Sequence, residues 1–214
     1  MKYILLAAGP FEYVPPLSEL KMKHNDAQWI GIDKGTFHLL KHGITPLHAF
    51  GDFDSLTVEE GEWVHSQTVH LSVYPKEKDA TDMELALDWA ISKKPDEIIL
   101  LGATGGRLDH MLVNIQFLTK GLEKGVNIVI EDIYNRVTVK EPGEYTIHES
   151  EFPYNSFLPM SIQVEGLTLT GFRYPLENRT ITQSSSLCIS NELVSNKGTI
   201  SFTSGNLLLF QTRD

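Results

Sequence analysis

The order of hydrophobic and polar residues divides the chain into two regions with different periodicity. In the first 130 residues, short apolar runs recur at intervals of roughly 20–25 residues. Six runs predict buried parallel strands: YILLAA (3–8), WIGID (29–33), LHAF (47–50), VHLSVY (69–74), EIILLGA (97–103) and NIVIE (127–131). Four intervening segments are predicted to be helical: 35–42, 57–67, 81–93 and 107–124. This alternation predicts an α/β domain with a mostly parallel sheet and helices on both faces.

The helix predicted over 81–93 has the clearest start signal. Thr81 is a favourable N-cap residue, and Glu84 follows three positions later, as in a capping box. The residues after Met83 form a broad apolar face. Such a face suits a helix that packs on a sheet.

After Asn135 the pattern becomes an alternation of apolar and polar residues. The segment RVTVKEPGEYTIHE (136–149) contains a Pro-Gly turn and is interpreted as a hairpin. Three further segments alternate in the same way: MSIQVEGLTLTGF (160–172), TISFTSGN (199–206) and LLLFQT (207–212). We therefore predict two domains, an α/β domain over 1–130 and an all-β sandwich or barrel over 131–214.

Composition narrows the class of protein. The chain has 18 basic and 28 acidic residues and a formal charge of −10. This balance argues against a nucleic-acid surface, which needs clustered Lys and Arg, and tolerates a cationic ligand or metal-binding carboxylates. The single cysteine, Cys188, cannot form an internal disulfide, which favours a reducing compartment. The start MKYILLAAGP is too short for a secretory or membrane segment, so we expect a cytoplasmic protein.

The conspicuous polar residues follow the predicted strands. Asp33 ends the second strand, GDFDS (51–55) follows the third, KEKDATD (76–82) the fourth and GATGGRLDH (102–110) the fifth. The carboxyl ends of parallel strands lie at one edge of a sheet, where open α/β folds bind ligands. We expect these segments to be neighbours.

Several carboxylates therefore converge on this edge. They are Asp52, Asp54, Asp79, Asp82 and Asp109. Asp52 and Asp54 are two positions apart, which puts both on one side of an extended loop. Oxygen ligands of this kind suit Mg²⁺, and the eight histidines show no zinc-binding spacing. Taken alone, Asp33, Asp52 or Asp54 is equally well explained as a turn or helix-capping residue, and Asp82 is favourable in the first turn of a helix without any function.

GATGGRLDH adds a complementary feature, because three glycines bracket a threonine where a strand ends and a helix begins. Exposed backbone N–H groups at a helix start and the forked donor of Arg107 both favour phosphate. The segment is neither a Walker A loop nor a G-x-G-x-x-G fingerprint, and an ordinary tight turn is the alternative. Together with the acidic loops it indicates magnesium and a nucleotide polyphosphate.

Five segments together, in this order, resemble the thiamine pyrophosphokinase family. They are GDFDS, KDATDMELAL (78–87), LGATGGRLDH (101–110), GFRYPL (171–176) and ISNE (189–192). The resemblance implies transfer of a pyrophosphoryl group from ATP to the hydroxyl of thiamine, giving thiamine diphosphate and AMP. It also implies a homodimer of subunits with an α/β nucleotide-binding domain and a β-sandwich domain, whose active sites lie between subunits.

The resemblance also implies roles for individual residues. Metal ligands would be Asp52, Asp54 and Asp82. ATP-binding residues would be Asp33, Asp52, Ser55, Thr104, Arg107 and Asp109. Catalytic residues would be Asp54, Asp82 and Arg107. Thiamine-binding residues would be Tyr174, Ser190 and Asn191, with Tyr174 stacking on a heteroaromatic cation.

Some positions and alternatives stay open. Gly9 is a weaker candidate for the nucleotide site, and Lys78, where some relatives carry Gln, receives no role. Asp79 or Asp82 is a candidate acceptor for the alcohol proton. Without the resemblance, Ser190 and Asn191 form an ordinary turn pair. A magnesium-dependent phosphohydrolase and a non-catalytic nucleotide-binding module are the rival functions, and the all-β half favours the kinase over both.

Overall fold

The computed structural model describes residues 1–67, 70–73 and 79–214, and for 71–73 the backbone alone. Contacts divide the chain into two compact units, Met1–Ile133 and Tyr134–Asp214. This division falls three residues after the one predicted from the sequence. Each unit is described by itself below.

Among its described residues, the first unit has six strands and five α-helices. The strands are β1 (Lys2–Leu6), β2 (Gln28–Ile32), β3 (His48–Gly51), β4 (Leu71–Val73), β5 (Glu97–Leu101) and β6 (Asn127–Glu131). The helices are α1 (Leu17–Lys23), α2 (Lys34–Lys41), α3 (Val58–Ser66), α4 (Asp82–Ser92) and α5 (Leu108–Lys124). The strands lie in the order β6-β5-β1-β2-β3-β4, and all neighbours are parallel. The predicted parallel sheet is confirmed, although positions 69 and 74 of the predicted fourth strand lie outside the described residues.

Helices cover both faces of this sheet, as predicted. On one face, Ile4 of β1 packs in a buried cluster with Leu17 of α1 and Leu39 of α2. On the other face, the Tyr3 ring lies 5.7 Å from the ring of Trp89 in α4. Adjacent strand residues point to opposite faces, so a strand buried on both sides is apolar throughout. This is why continuous apolar runs predicted the strands correctly.

Helix α1 was not predicted. It has seven residues, and Pro16 is its N-cap. The Pro15-Pro16 pair looks like a break in a helical pattern, but proline is tolerated at a helix start because the first N–H groups have no intrahelical partner. The longest helix, α5, has 17 residues. Within the described ranges, no helix is long and apolar enough to cross a membrane.

Only the first half of the capping box predicted for α4 is present, because the Glu84 carboxylate binds a residue of α5. The Thr81 hydroxyl accepts a hydrogen bond from the Glu84 N–H at 3.2 Å. The Glu84 carboxylate accepts from Lys120 Nζ of α5 at 2.7 Å. A reciprocal capping box forms instead at the start of α3, between Thr57 and Glu60. The Glu84–Lys120 contact is charge-assisted, which makes it a stronger partner than a backbone N–H.

The second unit is all-β. Its strands are β7 (Asn135–Lys140), β8 (Gly143–His148), β9 (Tyr154–Pro159), β10 (Gln163–Thr170), β11 (Leu176–Thr182), β12 (Asn191–Glu192), β13 (Lys197–Phe202) and β14 (Leu207–Thr212). They lie in the antiparallel orders β12-β9-β14-β7 and β11-β10-β13-β8. Phe157 and Leu207 from the first set pack with Leu169 and Ile200 from the second. The predicted antiparallel all-β region is therefore confirmed.

The hairpin predicted over 136–149 is wrong. Strand β7 pairs with β14, so that Val137 lies opposite Phe210. Strand β8 pairs with β13 in the other sheet, so that Ile147 lies opposite Gly198. The turn at Pro142 carries the chain from one sheet to the other. Alternation shows that a strand has one buried face, but it does not identify the neighbouring strand.

Candidate active site

The cleft of the first unit lies where the strand order reverses. The chain proceeds from β1 to β4 in one direction across the sheet, whereas β5 and β6 lie on the other side of β1. The segments that leave β1 and β5 remain joined there: Ala7 N–H donates to Leu101 O at 2.9 Å and Gly9 N–H donates to Gly102 O at 3.0 Å. A cleft of about 780 Å³ opens beside them. Open α/β sheets bind ligands at this position.

Two glycines allow these segments to approach so closely. A Cβ atom on Gly9 would lie 2.3 Å from Gly102 O, and one on Gly102 would lie 2.6 Å from Ala7 O. Gly102 also has φ +62°, a conformation that side chains disfavour. Gly9 lines the cleft, in agreement with its position in the sequence. A side chain at either position would push the two segments apart.

The acidic residues predicted at the strand ends surround the same cleft. Its lining includes Asp33, Asp52, Asp54, Asp79 and Asp82. They come from the ends of β2 and β3 and from the start of α4. In the described part of the chain, no three His, Cys, Asp or Glu side chains form a ready-made metal site. The cleft wall nevertheless carries several separate carboxylates, whose oxygens are hard metal donors.

The loop after β3 is a tight turn and not the extended loop expected from the sequence. The Asp54 N–H donates to Asp52 Oδ1 at 3.0 Å, which closes the turn. Phe53 has φ +59° and is buried. Asp52, Asp54 and Ser55 all line the cleft. Burying Phe53 in this unusual conformation leaves the polar residues on either side facing the cleft.

Asp33 connects the end of β2 to this loop. Its N–H donates to Phe50 O at 2.8 Å, and its Oδ1 accepts from Phe53 N–H at 3.4 Å. Its backbone has φ 48° and ψ −125°, which is strained for a residue with a side chain. A Cβ on Gly51 would lie 2.0 Å from Asp33 Oδ1, so glycine is needed there. Asp33 thus lines the cleft and also holds the neighbouring loop.

The glycine-rich segment after β5 is held by two buried polar residues that the sequence analysis missed. The Thr104 hydroxyl donates to Asp132 Oδ2 at 2.5 Å, and Asn114 Nδ2 donates to Ala103 O at 3.0 Å. Asp132 is 3% exposed and Asn114 is 6% exposed. Asp132 directly follows the apolar run of β6, which is the same signal that identified Asp33. Thr104 and Asn114 line the cleft.

Arg107 lines the cleft and is paired with Asp109. Its Nε lies 3.1 Å from Asp109 Oδ1, and its Nη2 lies 2.6 Å from Asp109 Oδ2. Asp109 also accepts from the His110 N–H. Hydrogen bonding to Arg107, then to the His110 backbone, lowers the pKa of Asp109 to about 2. Asp109 is not among the described residues that line the cleft. In this structure its carboxylate binds Arg107, which does line the cleft.

In the second unit, two of the predicted ligand-binding residues hold one another. Tyr174 N–H donates to Asn191 Oδ1 at 3.0 Å, and Asn191 Nδ2 donates to Tyr174 O at 2.8 Å. The Glu192 N–H donates to the same Asn191 oxygen at 3.0 Å. Asn191 is 2% exposed, whereas Tyr174 is 58% exposed. The Asn191 amide therefore fixes the Tyr174 backbone and leaves the Tyr174 ring at the surface.

The third predicted residue, Ser190, is exposed beside this pair. Its N–H donates to Ser156 Oγ at 2.9 Å, and its φ is +55°. Arg173 lies with its guanidinium carbon 5.7 Å from the centre of the Tyr174 ring. Arg173 also pairs with Glu192 at 3.0 Å. The surface at this point combines an aromatic ring, a hydroxyl and an ion pair.

Comparison with known proteins supports the same interpretation for both units. The profile described as "Thiamin pyrophosphokinase, catalytic domain" matches residues 20–130, and "Thiamin pyrophosphokinase, vitamin B1 binding domain" matches residues 144–207. The thiamine pyrophosphokinase of Bacillus subtilis is 47% identical over 211 residues, covering 98% of each chain. Its crystal structure superposes with a TM-score of 0.94 at 45% identity over all of both chains. The thiamin pyrophosphokinase of Geobacillus thermodenitrificans gives 0.92 at 42% identity, over 100% of this chain and 98% of that one.

The fold, the cleft and these similarities define a pyrophosphotransferase built from an α/β unit and an all-β unit. The two matched profiles cover most of the chain, and the similarity to the Bacillus subtilis enzyme extends over nearly its whole length. The chain belongs to the thiamine pyrophosphokinase family.

Proposed function

We propose that the protein transfers the pyrophosphoryl group of ATP to the hydroxyl of thiamine and releases thiamine diphosphate and AMP. The observation that supports this most directly is one cleft, at the reversal of strand order, lined by both the acidic segments and the glycine-rich segment. Membership of the family supports the choice of substrates.

We propose Mg²⁺ as the metal, held by Asp52, Asp54 and Asp82. All three line the cleft and supply the hard oxygen donors that Mg²⁺ prefers. Protein sites for Mg²⁺ commonly use one or two carboxylates together with phosphate and water, so a complete protein cage is not required. When bound, the ion would neutralise negative charge on the polyphosphate.

The chain's own residues position the nucleotide. Asp33, Ser55 and Thr104 line the cleft along its length. Arg107 lies at the start of α5, where backbone N–H groups also face anions. Attack at the β-phosphorus would make AMP the leaving group, and charge would increase on the phosphate oxygens. Transfer of this kind depends mainly on positioning and electrostatic stabilisation, which Arg107 can provide.

We propose that Tyr174 and Ser190 contact thiamine. The buried amide of Asn191 would hold the Tyr174 backbone in place for this contact. The Tyr174 ring is exposed and suits stacking on a heteroaromatic cation. By the family resemblance, we propose a homodimer with active sites shared between subunits. From the single cysteine, Cys188, we propose a reducing compartment such as the cytoplasm. Light scattering on the purified protein would test the dimer directly.

Chromatographic analysis of products tests the reaction. The protein is mixed with ATP and Mg²⁺, with or without thiamine, and we expect equal amounts of AMP and thiamine diphosphate only when thiamine is present. Release of inorganic phosphate without thiamine would instead indicate a phosphohydrolase. ATP binding without AMP formation would indicate a non-catalytic module. Addition of a chelator should stop the reaction, and excess Mg²⁺ should restore it.

A further inference from the structure

Strand pairing in the second unit is interrupted at the exposed residue Ser190. Asn191 of β12 lies opposite Asn155 of β9. Two residues further along β9, the Phe157 N–H donates to Cys188 O at 2.9 Å. The facing chain moves by three residues over the same length, from Asn191 back to Cys188, so it contains one extra residue. Such a β-bulge bends the strand and redirects a side chain.

A buried hydroxyl binds the backbone of this bulge. The Ser190 N–H donates to Ser156 Oγ of β9 at 2.9 Å. Ser156 is 7% exposed, whereas the Ser190 side chain is at the surface. Ser190 has φ +55°, which is disfavoured for a residue with a side chain. A fixed acceptor inside the protein therefore holds Ser190 in a conformation that its backbone does not favour by itself.

The path of the chain through Ser190 also determines how Tyr174 is held. Asn191 follows Ser190 directly, and its Oδ1 accepts from the Tyr174 N–H at 3.0 Å. Its Nδ2 donates to Tyr174 O at 2.8 Å. The two residues proposed to contact thiamine, Tyr174 and Ser190, thus depend on the same short segment.

We propose that Ser156 is a positioning residue of the thiamine site, whose hydroxyl sets the orientation of Ser190 and, through Asn191, of Tyr174. This inference rests on the proposed function, because it assumes that this surface binds thiamine. Ser156 is buried and acts through the bulge, without touching the substrate. Groups that are ordered before a ligand binds lose less conformational freedom on binding. Loss of the Ser156 hydroxyl should therefore weaken thiamine binding and leave ATP binding unchanged.

The test removes this hydroxyl and compares the two substrates. Ser156→Ala should raise the KM for thiamine about five- to tenfold, the effect of one lost hydrogen bond, and keep kcat and the KM for ATP within about twofold. Ser156→Thr keeps a hydroxyl acceptor, so its KM for thiamine should return to within about twofold of the wild-type value. Calorimetric titration with thiamine alone should rank the variants in the same order.

A matched control separates positioning from stability. The hydroxyl of Ser161, in the same unit, also accepts a backbone N–H, that of Asn206, at 2.9 Å. It donates to Gln163 O at 2.8 Å as well. Ser161→Ala should therefore lower the Tm at least as much as Ser156→Ala, by about 2–4 °C for each hydrogen bond lost in a chain of this length. It should leave the KM for thiamine at the wild-type value.

A double variant gives a second measurement that a purely structural role would not affect. Ser190→Ala removes the hydroxyl proposed to contact thiamine and should itself raise the KM for thiamine. If Ser156 acts through Ser190, the double variant should exceed the weaker-binding single variant by no more than about twofold, whereas independent effects would multiply.

The inference is overturned if Ser156→Ala leaves the KM for thiamine unchanged or raises both KM values equally. It is also overturned if Ser161→Ala raises the KM for thiamine as much, or if the effects of the double variant multiply. Should Ser156→Ala fail to fold, Ser156→Cys takes its place, because a thiol of similar size is a weaker acceptor and should also raise the KM for thiamine.

Failure of this inference and failure of the proposed function give different results. If the wild-type protein forms AMP and thiamine diphosphate and Ser156→Ala binds thiamine normally, only this inference fails. If the wild-type protein forms no AMP, the proposed function fails, and calorimetric titration of the same variants with thiamine still tests Ser156. A wild-type protein that binds no thiamine overturns both.

Discussion

The candidate residues of the α/β unit and those of the all-β unit differ in how they are held. In the first unit, Asp52 and Asp54 line an open cleft from a turn that the hydrogen bond from the Asp54 N–H to the Asp52 carboxylate closes. In the second unit, Asn191 is buried, and its amide binds the backbone of the exposed Tyr174. A polar residue in a motif can thus contact a ligand or support a residue that does. Burial and hydrogen-bond partners distinguish the two cases.

The first unit also contains a buried side chain that holds a residue of the candidate site. Buried Asp132 holds Thr104, as buried Asn191 holds Tyr174. In each pair the buried member has its polar atoms committed inside the protein, where an unsatisfied group would cost free energy. Variants at exposed cleft carboxylates should therefore affect turnover, whereas variants at buried supports should affect substrate binding and folding together.

The largest expected effect is at the cleft carboxylates. We expect Asp54→Asn or Asp82→Asn to lower kcat at least about 100-fold, the scale of a lost electrostatic contact in a transition state. Asp26→Asn, at an exposed position away from the cleft lining, is the matched control and should retain activity. Steady-state kinetics at saturating Mg²⁺ measure the effect. Near-normal turnover of either cleft variant would remove that residue from the metal site.

A smaller effect is expected at Asn191, and it should appear in thiamine binding and in stability. Asn191→Ala should raise the KM for thiamine about tenfold while changing the KM for ATP little, because the Tyr174 backbone loses its support. It should also lower the free energy of unfolding by about 1–3 kcal/mol, since buried backbone groups lose their partner. Urea unfolding and steady-state kinetics measure both effects.

The control for Asn191 is Asn196→Ala, at an exposed position of the same unit. It should leave both quantities near their wild-type values. Equal rises in KM for both substrates after Asn191→Ala would count against a role on the thiamine side. An unchanged unfolding free energy would contradict the supporting role assigned to its amide.

The smallest expected effect concerns the exposed Arg107–Asp109 pair. The pKa of Asp109 is lowered to about 2 by its hydrogen bond to Arg107, below an unfolded value near 3.9. The pair therefore stabilises the folded state above about pH 4, and this contribution is lost as pH falls from about 4 to 2. The contribution is small because both side chains are exposed.

Asp109→Asn tests this pair. It should flatten the acid limb of the stability profile between about pH 4 and 2, measured by thermal unfolding. It should change the KM for ATP by less than about fivefold at neutral pH, as expected for an exposed ion pair. A loss of activity as large as that of Asp54→Asn would show that Asp109 acts within the cleft.

Much of the first unit could be predicted because its strands are buried on both faces. A run such as EIILLGA has no polar face, and this local property predicts a central parallel strand. Polar residues after those runs, Asp33, Asp52 and Asp54 among them, line the cleft because the six strands of the described part are parallel and share one carboxyl edge. Helix α1 was missed because two prolines precede it, and proline at a helix start does not interrupt any hydrogen bond.

The sequence by itself determined the two periodicities, the positions of the strands in the first unit and the order of the polar segments, because these follow from local alternation and burial. Only the tertiary structure decided that β7 and β8 belong to different sheets, since alternation does not identify a strand's partner. It also decided that Asn191 and Asp132 are buried supports. A side chain's role depends on which distant groups reach it, and residues 17 and 28 positions away along the chain supply those contacts.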